Sequence, residues 1–203
     1  MADSGHENNE NLKKFFEALG LCHTVIADEK KDKEGNQFIA FNASSPDELA
    51  LVNGARHCGF FFRERDCENR MVCETWDGER KYKLLNLIEF DSDRKRMTVV
   101  VRTPENAILV ICKGADSIIE KRLKPDSPVL QRTQEFLDAY AKQGLRTLLI
   151  ASKEISQDEY SAWSSKYNKA STSKNKEEAV NAVAEELEVD FDLVGSTAIE
   201  DKL

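Results

Sequence analysis

The sequence predicts an α+β fold, with a largely antiparallel, twisted sheet flanked by helices. Residues 70–113 alternate as β-strands do, and the turn at 103–106 joins two of these strands into a hairpin. Helical patterns lie between the other strands. Hairpin-joined strands with intervening helices are typical of an α+β domain.

The first elements are short. Residues 1–11 are polar and acidic, and we expect them to be a disordered lead or to derive from the expression vector. A helix is predicted at 12–21, with Gly20 as its C-terminal stop. Its apolar residues recur with a helical period: Leu12, Phe15, Phe16 and Leu19. Extended segments at 24–27 and 37–41 should pair across a charged turn.

A second helix is predicted to begin at Ser45. Ser45 can cap the helix, Pro46 suits the first turn, and Glu48 stands three residues after the cap, as in a capping box. The apolar residues that follow fall on one face, up to a stop at Gly59. Residues 60–62 then read as a buried strand.

The central β region contains the strand in which Tyr82, Leu84, Asn86, Ile88 and Phe90 alternate with Leu85, Leu87 and Glu89. Simple alternation would place the two sets on opposite faces of the sheet. A very polar stretch at 91–96 separates this strand from the hairpin of 97–102 and 107–113.

The C-terminal half alternates helices with strands. Helices are predicted at 117–123 and 129–143, with Ser127-Pro128 starting the second and Gly144 ending it. A strand at 145–151 follows. Ser156 and Glu159 then form a capping box for the next helix. The remaining predicted elements are a flexible linker at 171–176, an amphipathic helix near 179–187 and a strand at 191–195.

Composition limits the classes of function. The chain has 203 residues, 40% hydrophobic and 33% charged, with a formal net charge of −8. These values fit a well-solvated globular domain. The negative charge argues against nucleic-acid binding, which needs a positive field. No apolar run approaches the roughly 20 residues that cross a bilayer, so we expect no direct membrane contact.

The cysteines and histidines do not indicate a metal site. Five cysteines are present, an odd number without C-x-x-C spacing, and the three histidines do not cluster with them. We therefore expect the cysteines to be reduced thiols with a structural role. The phosphate-binding loops G-x-x-x-x-G-K-[ST] and G-x-G-x-x-G are absent, as are G-x-S-x-G and H-E-x-x-H. We therefore predict no complete catalytic centre and no metal ligand in this chain.

Five short segments carry a collective signal. They are Ser44 to Val52 (SSPDELALV), Phe90 to Met97 (FDSDRKRM), Cys112 to Asp116 (CKGAD), Gly144 to Leu148 (GLRTL) and Gly195 to Leu203 (GSTAIEDKL). In this order and spacing they resemble the nucleotide-binding domain of P-type ATPases, over residues 12–203. The S-P-D-E, F-x-x-x-R-K-R-M and T-A-I-E-D-K-L forms, and the early Leu21-Cys22-His23-Thr24, are similar to the phospholipid flippases.

The resemblance implies a nucleotide site. Phe90 matches the family's adenine-stacking phenylalanine; the alternative is that Phe90, at a strand end, fills the core beside Ile88. Lys113 and Gly114 match the family's K-G-A motif, in which a cation meets the nucleotide and a glycine allows close approach. A solvated lysine before a turn is the alternative.

Three further residues are candidates. Glu48 matches an acid on the adenine side of the family's pocket, but its capping role would also explain it. Arg146 resembles the arginine that reaches the phosphates, and arginine suits bidentate phosphate contacts. Lys95 could add positive charge, or lie in a solvated basic turn between Arg94 and Arg96.

The resemblance also implies a division of labour. The family's phosphorylated aspartate lies in an Asp-Lys-Thr-Gly motif that this sequence lacks. We expect residues 12–192 to form the nucleotide-binding domain and 193–203, frayed here, to begin the return toward the phosphorylation domain. The chain would bind ATP without turnover. Mg²⁺ would be bound mainly outside it, in the parent enzyme.

The expected partners also follow from the resemblance. They are ATP and the phosphorylation and actuator domains of the parent chain, with an accessory subunit of the parent. The chain itself should be a monomer and a cytosolic domain of an integral membrane protein. The alternative is a degenerate pump-like module that serves regulation or interaction, fused to another protein.

Overall fold

The computed structural model describes residues 9–125, 127 and 129–200. Helix α1 (Asn9–Leu21) opens this part of the chain, beginning three residues earlier than predicted. Residues 1–8 of the expected disordered lead lie outside the described residues. Strands β1 (Ile26–Lys31) and β2 (Gln37–Asn42) form an antiparallel hairpin. Strand β1 extends to Lys31, so the charged turn is shorter than expected.

Helix α2 (Pro46–His57) begins as the sequence predicted. Ser45 is its N-cap and accepts a hydrogen bond from the backbone N of Glu48 at 3.4 Å, with Pro46 in the first turn. Gly59 follows the helix with φ of +95°, a conformation that favours glycine. The Glu48 side chain, however, does not complete the capping box.

In the part of the chain that the structure describes, the main sheet has seven antiparallel strands in sequential order. They are β3 (Phe61–Arg65), β4 (Arg70–Thr75), β5 (Gly78–Asp91), β6 (Arg96–Arg102), β7 (Ile108–Gly114), β8 (Arg146–Ile155) and β9 (Asp192–Ile199). Every neighbouring pair is antiparallel. The predicted α+β class with a largely antiparallel sheet is confirmed.

Helices from two places in the chain cover the face of the main sheet opposite to α1 and α2. Between β7 and β8 lie α3 (Asp116–Ile119), a short 3-10 helix (Glu120–Arg122) and α4 (Leu130–Ala141). Between β8 and β9 lie α5 (Gln157–Ser171), which begins with the predicted Ser156–Glu159 capping box, and α6 (Lys176–Leu187). The predicted cap at Ser127-Pro128 falls partly on Pro128, which lies outside the described residues.

Two hydrophobic cores hold the layers together, one on each face. The first joins α1 and α2 to the sheet through Leu21, Val52 and Met97, among others. The second joins α3–α6 to the other face through Ile119, Trp163 and Leu187. The central strand β6 contributes Val99 and Val101 to one core and Val100 to the other. All five cysteines are free thiols, and three are buried.

Strand β5 does not alternate as simply as predicted. A bulge lies between Leu84 and Asn86, so Leu87 joins Tyr82 and Leu84 in the first core. A second irregularity lies between Ile88 and Asp91. A bulge inserts one extra residue and re-aims the side chains beyond it, which is why the expected common face of Tyr82 through Phe90 is wrong.

The last strand extends beyond its predicted end at Gly195. Residues as far as Ile199 pair with β8, and Arg146 stands opposite Ile199. We expected residues 193–203 to be frayed. That expectation is wrong for residues 193–199, because they belong to the edge strand of the sheet. Whether 193–203 leads toward a phosphorylation domain stays a prediction. Among the described residues, no helix has the length and apolar character that crossing a membrane requires.

Candidate functional site

A pocket of about 390 Å³ opens where the start of α2 meets the ends of β5, β7 and β8. Its size is within the usual range of small-molecule sites. Five of the six predicted residues line it: Glu48, Phe90, Lys113, Gly114 and Arg146. They come from four separate segments, so the fold brings together what the sequence keeps apart.

Phe90 is an exposed aromatic ring at the rim of this pocket. It exposes 62% of its surface, whereas Ile88 exposes 4%. The alternative that Phe90 fills the core beside Ile88 is wrong, because the irregularity before Asp91 turns it out of the second core. The ring is available for stacking against a flat ligand.

Lys113 is buried and paired. Its Nζ donates to Glu48 Oε1 at 3.0 Å, and the two side chains expose 8% and 12%. The alternative of a solvated lysine before a turn is therefore wrong. A buried cation here needs the carboxylate beside it, because an unpaired buried charge is costly.

Glu48 is held by two segments at once. Besides Lys113, its Oε2 accepts hydrogen bonds from Thr24 Oγ1 at 2.6 Å and from Thr24 N at 3.2 Å. These contacts replace the expected capping bond back to Ser45. Burial alone would raise the pKa of Glu48, but the charge of Lys113 and the Thr24 hydrogen bonds hold it below its ordinary value. Glu48 is thus a carboxylate fixed at the pocket.

Behind this pair lies His23, fully buried. Its Nε2 lies 2.9 Å from Gly20 O, and its Nδ1 accepts from Val25 N at 3.0 Å. These backbone partners fit the neutral tautomer with the proton on Nε2. Burial and the nearby Lys113 charge lower the pKa of His23 to about 3. His23 therefore fixes the loop that presents Thr24 to Glu48.

Gly114 is required by the sheet itself. A Cβ at this position would lie 2.5 Å from Lys95 O and 2.7 Å from Arg96 Cβ. The glycine therefore lets β7 end against the turn before β6. The expected role of letting a ligand approach stays a prediction beside this structural one.

Arg146 begins β8 and lines the pocket. Its Nη1 pairs with Asp47 Oδ2 at 2.6 Å, and about half of its side chain is exposed. Asp47 belongs to the first turn of α2, so this pair links β8 to the helix start.

Lys95 does not line the pocket. It is exposed, with φ of +52°, in the tight turn between β5 and β6. Its neighbours are also not as expected. Arg94 exposes 7% and Arg96 exposes 2%, so the turn is not a solvated basic loop. Both arginines pair with Glu188.

Sequence reasoning missed several lining residues. Thr24, Asp47, Met97 and Leu148 all face the pocket. Thr24 belongs to the Leu21–Thr24 motif and Asp47 belongs to the S-P-D-E motif. The motifs therefore contained these residues, but the sequence did not show which residues they contact. The pocket holds the acids Asp47, Glu48 and Glu89 and the bases Lys113 and Arg146. This balance suits a nucleobase better than three phosphates.

Comparisons with known proteins agree with this arrangement. The family model described as P-type ATPase, cytoplasmic domain N, matches residues 11–203. The chain is 46% identical over 193 residues to the human protein called Phospholipid-transporting ATPase IC, covering 95% of this chain and 15% of that protein. It is 44% identical over 203 residues to Phospholipid-transporting ATPase dnf2 of Schizosaccharomyces pombe, covering 98% of this chain and 14% of that one. The chain thus spans about 15% of the length of these relatives.

Proposed function

This chain belongs to the family of P-type ATPase cytoplasmic N domains, and we propose that its pocket binds ATP. The adenine would stack on Phe90, with Lys113 and Glu48 beside it and Arg146 toward the phosphates. The observation that carries the proposal is the convergence of five predicted residues on one pocket, with an exposed aromatic ring beside a buried ion pair. A base–aromatic stack contributes about 1–3 kcal/mol.

The charges that line the pocket support the proposal that this chain holds the base of ATP rather than its phosphates. Lys113 is neutralised by Glu48 and Arg146 is paired with Asp47. Little positive charge is left to hold a triphosphate on its own. The chain would therefore hold the base while groups elsewhere in the parent bind the phosphates. Phosphoryl transfer depends mainly on positioning and charge stabilisation, so separating these tasks is physically reasonable.

For the parent protein we propose a phospholipid-translocating P-type ATPase, because the relatives above carry that name. In it, an aspartate of a separate domain would take the γ-phosphate. Mg²⁺ would accompany ATP and be held mainly outside this chain. Among the residues that the structure describes, no group of three or more His, Cys, Asp and Glu could hold a metal ion, and we assign none to Mg²⁺.

Isothermal titration of the isolated chain tests the proposal. We expect ATP to bind with a Kd in the range of roughly micromolar to millimolar, with ADP and adenosine retaining much of that affinity because the base is held. Absence of binding at several millimolar nucleotide would contradict it.

A phosphate-release assay on the same samples tests the expected lack of turnover. We expect no release above the level of a blank. Steady release that survives purification and is abolished by a point mutation in this chain would contradict the clamp without turnover. If the chain is folded but binds ATP too weakly to measure, the degenerate regulatory module is favoured instead.

A further inference from the structure

A buried ion cluster lies on the second face of the sheet, opposite the pocket. Glu188 exposes 0% of its surface and accepts from three donors. Arg94 pairs with its Oε1, Arg96 Nε donates to its Oε2 at 2.6 Å, and Thr98 Oγ1 donates to Oε1 at 2.6 Å. Arg96 and Arg122 also pair with Glu185, whose side chain is half exposed.

This cluster joins two distant parts of the chain. Glu188 caps the C-terminal end of α6, while Arg94 lies in the turn between β5 and β6 and Arg96 begins β6. Its separation from the two arginines is 94 and 92 residues. Because buried charges are stable only when paired, the end of α6 and the turn must stay together. A carboxylate at 188 is what the two guanidinium groups require.

The same turn joins two strands that contribute to the pocket, β5 through Phe90 and β6 through Met97. Lys95 O accepts from Ala115 N at 3.0 Å, and Lys95 N donates to Asp91 O at 2.6 Å. Gly114 fits against Lys95 and Arg96 with no room for a Cβ. Phe90 stands immediately before Asp91, at the start of the turn. Displacement of the turn would therefore move Phe90 and Gly114 together.

The turn needs external support. Lys95, which is not a glycine, has φ of +52°. Such a conformation is strained and persists when the surroundings over-determine it. Behind the turn, the paired arginines on either side of Lys95 supply that support.

We propose that Glu188 is a positioning residue for nucleotide binding. From the opposite face of the sheet it fixes the turn at residues 91–96, and the turn sets the relative places of Phe90 and Gly114. This inference rests on the proposed ATP site and deepens it. It assigns a binding role to a residue that does not line the pocket.

The test compares Glu188→Gln with Glu186→Gln. Glu186 lies on α6 and pairs with Lys166 at the surface, so its variant makes the same charge change two residues away. We expect Glu188→Gln to raise the Kd for ATP by about five- to thirty-fold, which is the upper part of the roughly two- to thirty-fold range for residues that act without touching the ligand. The control should change it by less than about twofold.

Amide exchange followed by NMR supplies a second readout that does not need ATP. In Glu188→Gln, the amides of Lys95 and Ala115 should exchange faster while those of β3 and β4 do not. Glu188→Asp, which keeps the charge, should recover part of both the affinity and the protection. A general loss of stability would instead speed exchange throughout the sheet.

A folded Glu188→Gln protein that binds ATP like the wild type and protects Lys95 and Ala115 equally would overturn the proposal. If that variant does not fold, Glu188→Asp decides, because it keeps the charge but shortens the side chain that reaches both arginines. Faster exchange at Lys95 in Glu188→Asp than in the wild type supports the proposal, and unchanged exchange overturns it. If the wild type itself fails to bind ATP, the proposed function fails, while the exchange results still decide whether Glu188 fixes the turn.

Discussion

Replacing Phe90 by alanine removes the aromatic ring at the rim of the pocket and should separate binding from stability. The ring exposes 62% of its surface, so roughly two-fifths is buried. For an aromatic side chain of about 200 Å² and a transfer energy of about 25 cal/mol per Å², the stability loss is at most about 2 kcal/mol. The loss of stacking should weaken ATP binding by about 1–3 kcal/mol, or roughly 5- to 150-fold.

Two matched variants calibrate the measurement. Phe60 exposes 1% and packs in the first core, so Phe60→Ala should cost about 3–5 kcal/mol of unfolding free energy. Phe38 exposes 45% on β2 and does not line the pocket, so Phe38→Ala should leave ATP affinity unchanged. Urea unfolding without ligand and calorimetric ATP titration of all three variants give both quantities.

One pattern of results would contradict the assignment of Phe90 to the nucleotide site. If Phe90→Ala loses as much stability as Phe60→Ala yet binds ATP normally when folded, Phe90 is a core residue and not a binding residue.

Two further predictions concern the Glu48–Lys113 pair at the pocket and the buried His23. Lys113→Met leaves Glu48 without its buried cation and should cost about 3 kcal/mol of unfolding free energy as well as ATP affinity. Adding Glu48→Gln should recover most of the stability but not the ATP affinity. Urea unfolding that shows no such recovery would contradict the pairing of Lys113 with Glu48. His23 has its pKa lowered to about 3, so the unfolded state takes up its proton first, and the stability due to neutral His23 is present above about pH 6.5 and is lost as pH falls toward 3. Between pH 7 and pH 5 the wild type should therefore lose about 2 kcal/mol more unfolding free energy than His23→Gln, and equal losses in urea titrations at the two pH values would count against this account.

Local signals made much of the fold predictable. The Ser45 cap, the Ser156–Glu159 capping box and the hairpin turn at 103–106 depend on neighbouring residues, and all three are found. The faces of β5 were not predictable, because a bulge near Leu85 is set by how the strand meets β6. Alternation alone cannot show where an extra residue is inserted.

The site was predictable as a set of residues but not as a set of contacts. The motifs led to Phe90, Lys113 and Glu48, which lie at one pocket. The Thr24–Glu48–Lys113 hydrogen bonds join segments far apart in the chain, so sequence spacing gives no sign of them. Arg94 and Arg96 read as solvated for the same reason, since their partner Glu188 lies more than 90 residues away.

An NMR titration of the isolated chain with ATP, monitored through the amide shifts of assigned residues, tests directly whether this pocket is the nucleotide site. We expect progressive, saturable shifts at Phe90, Lys113 and Gly114 and at the start of α2, with little change in α5. Shifts confined to other surfaces, or none near Phe90 and Lys113 at several millimolar ATP, would contradict the claim that this pocket is the nucleotide site.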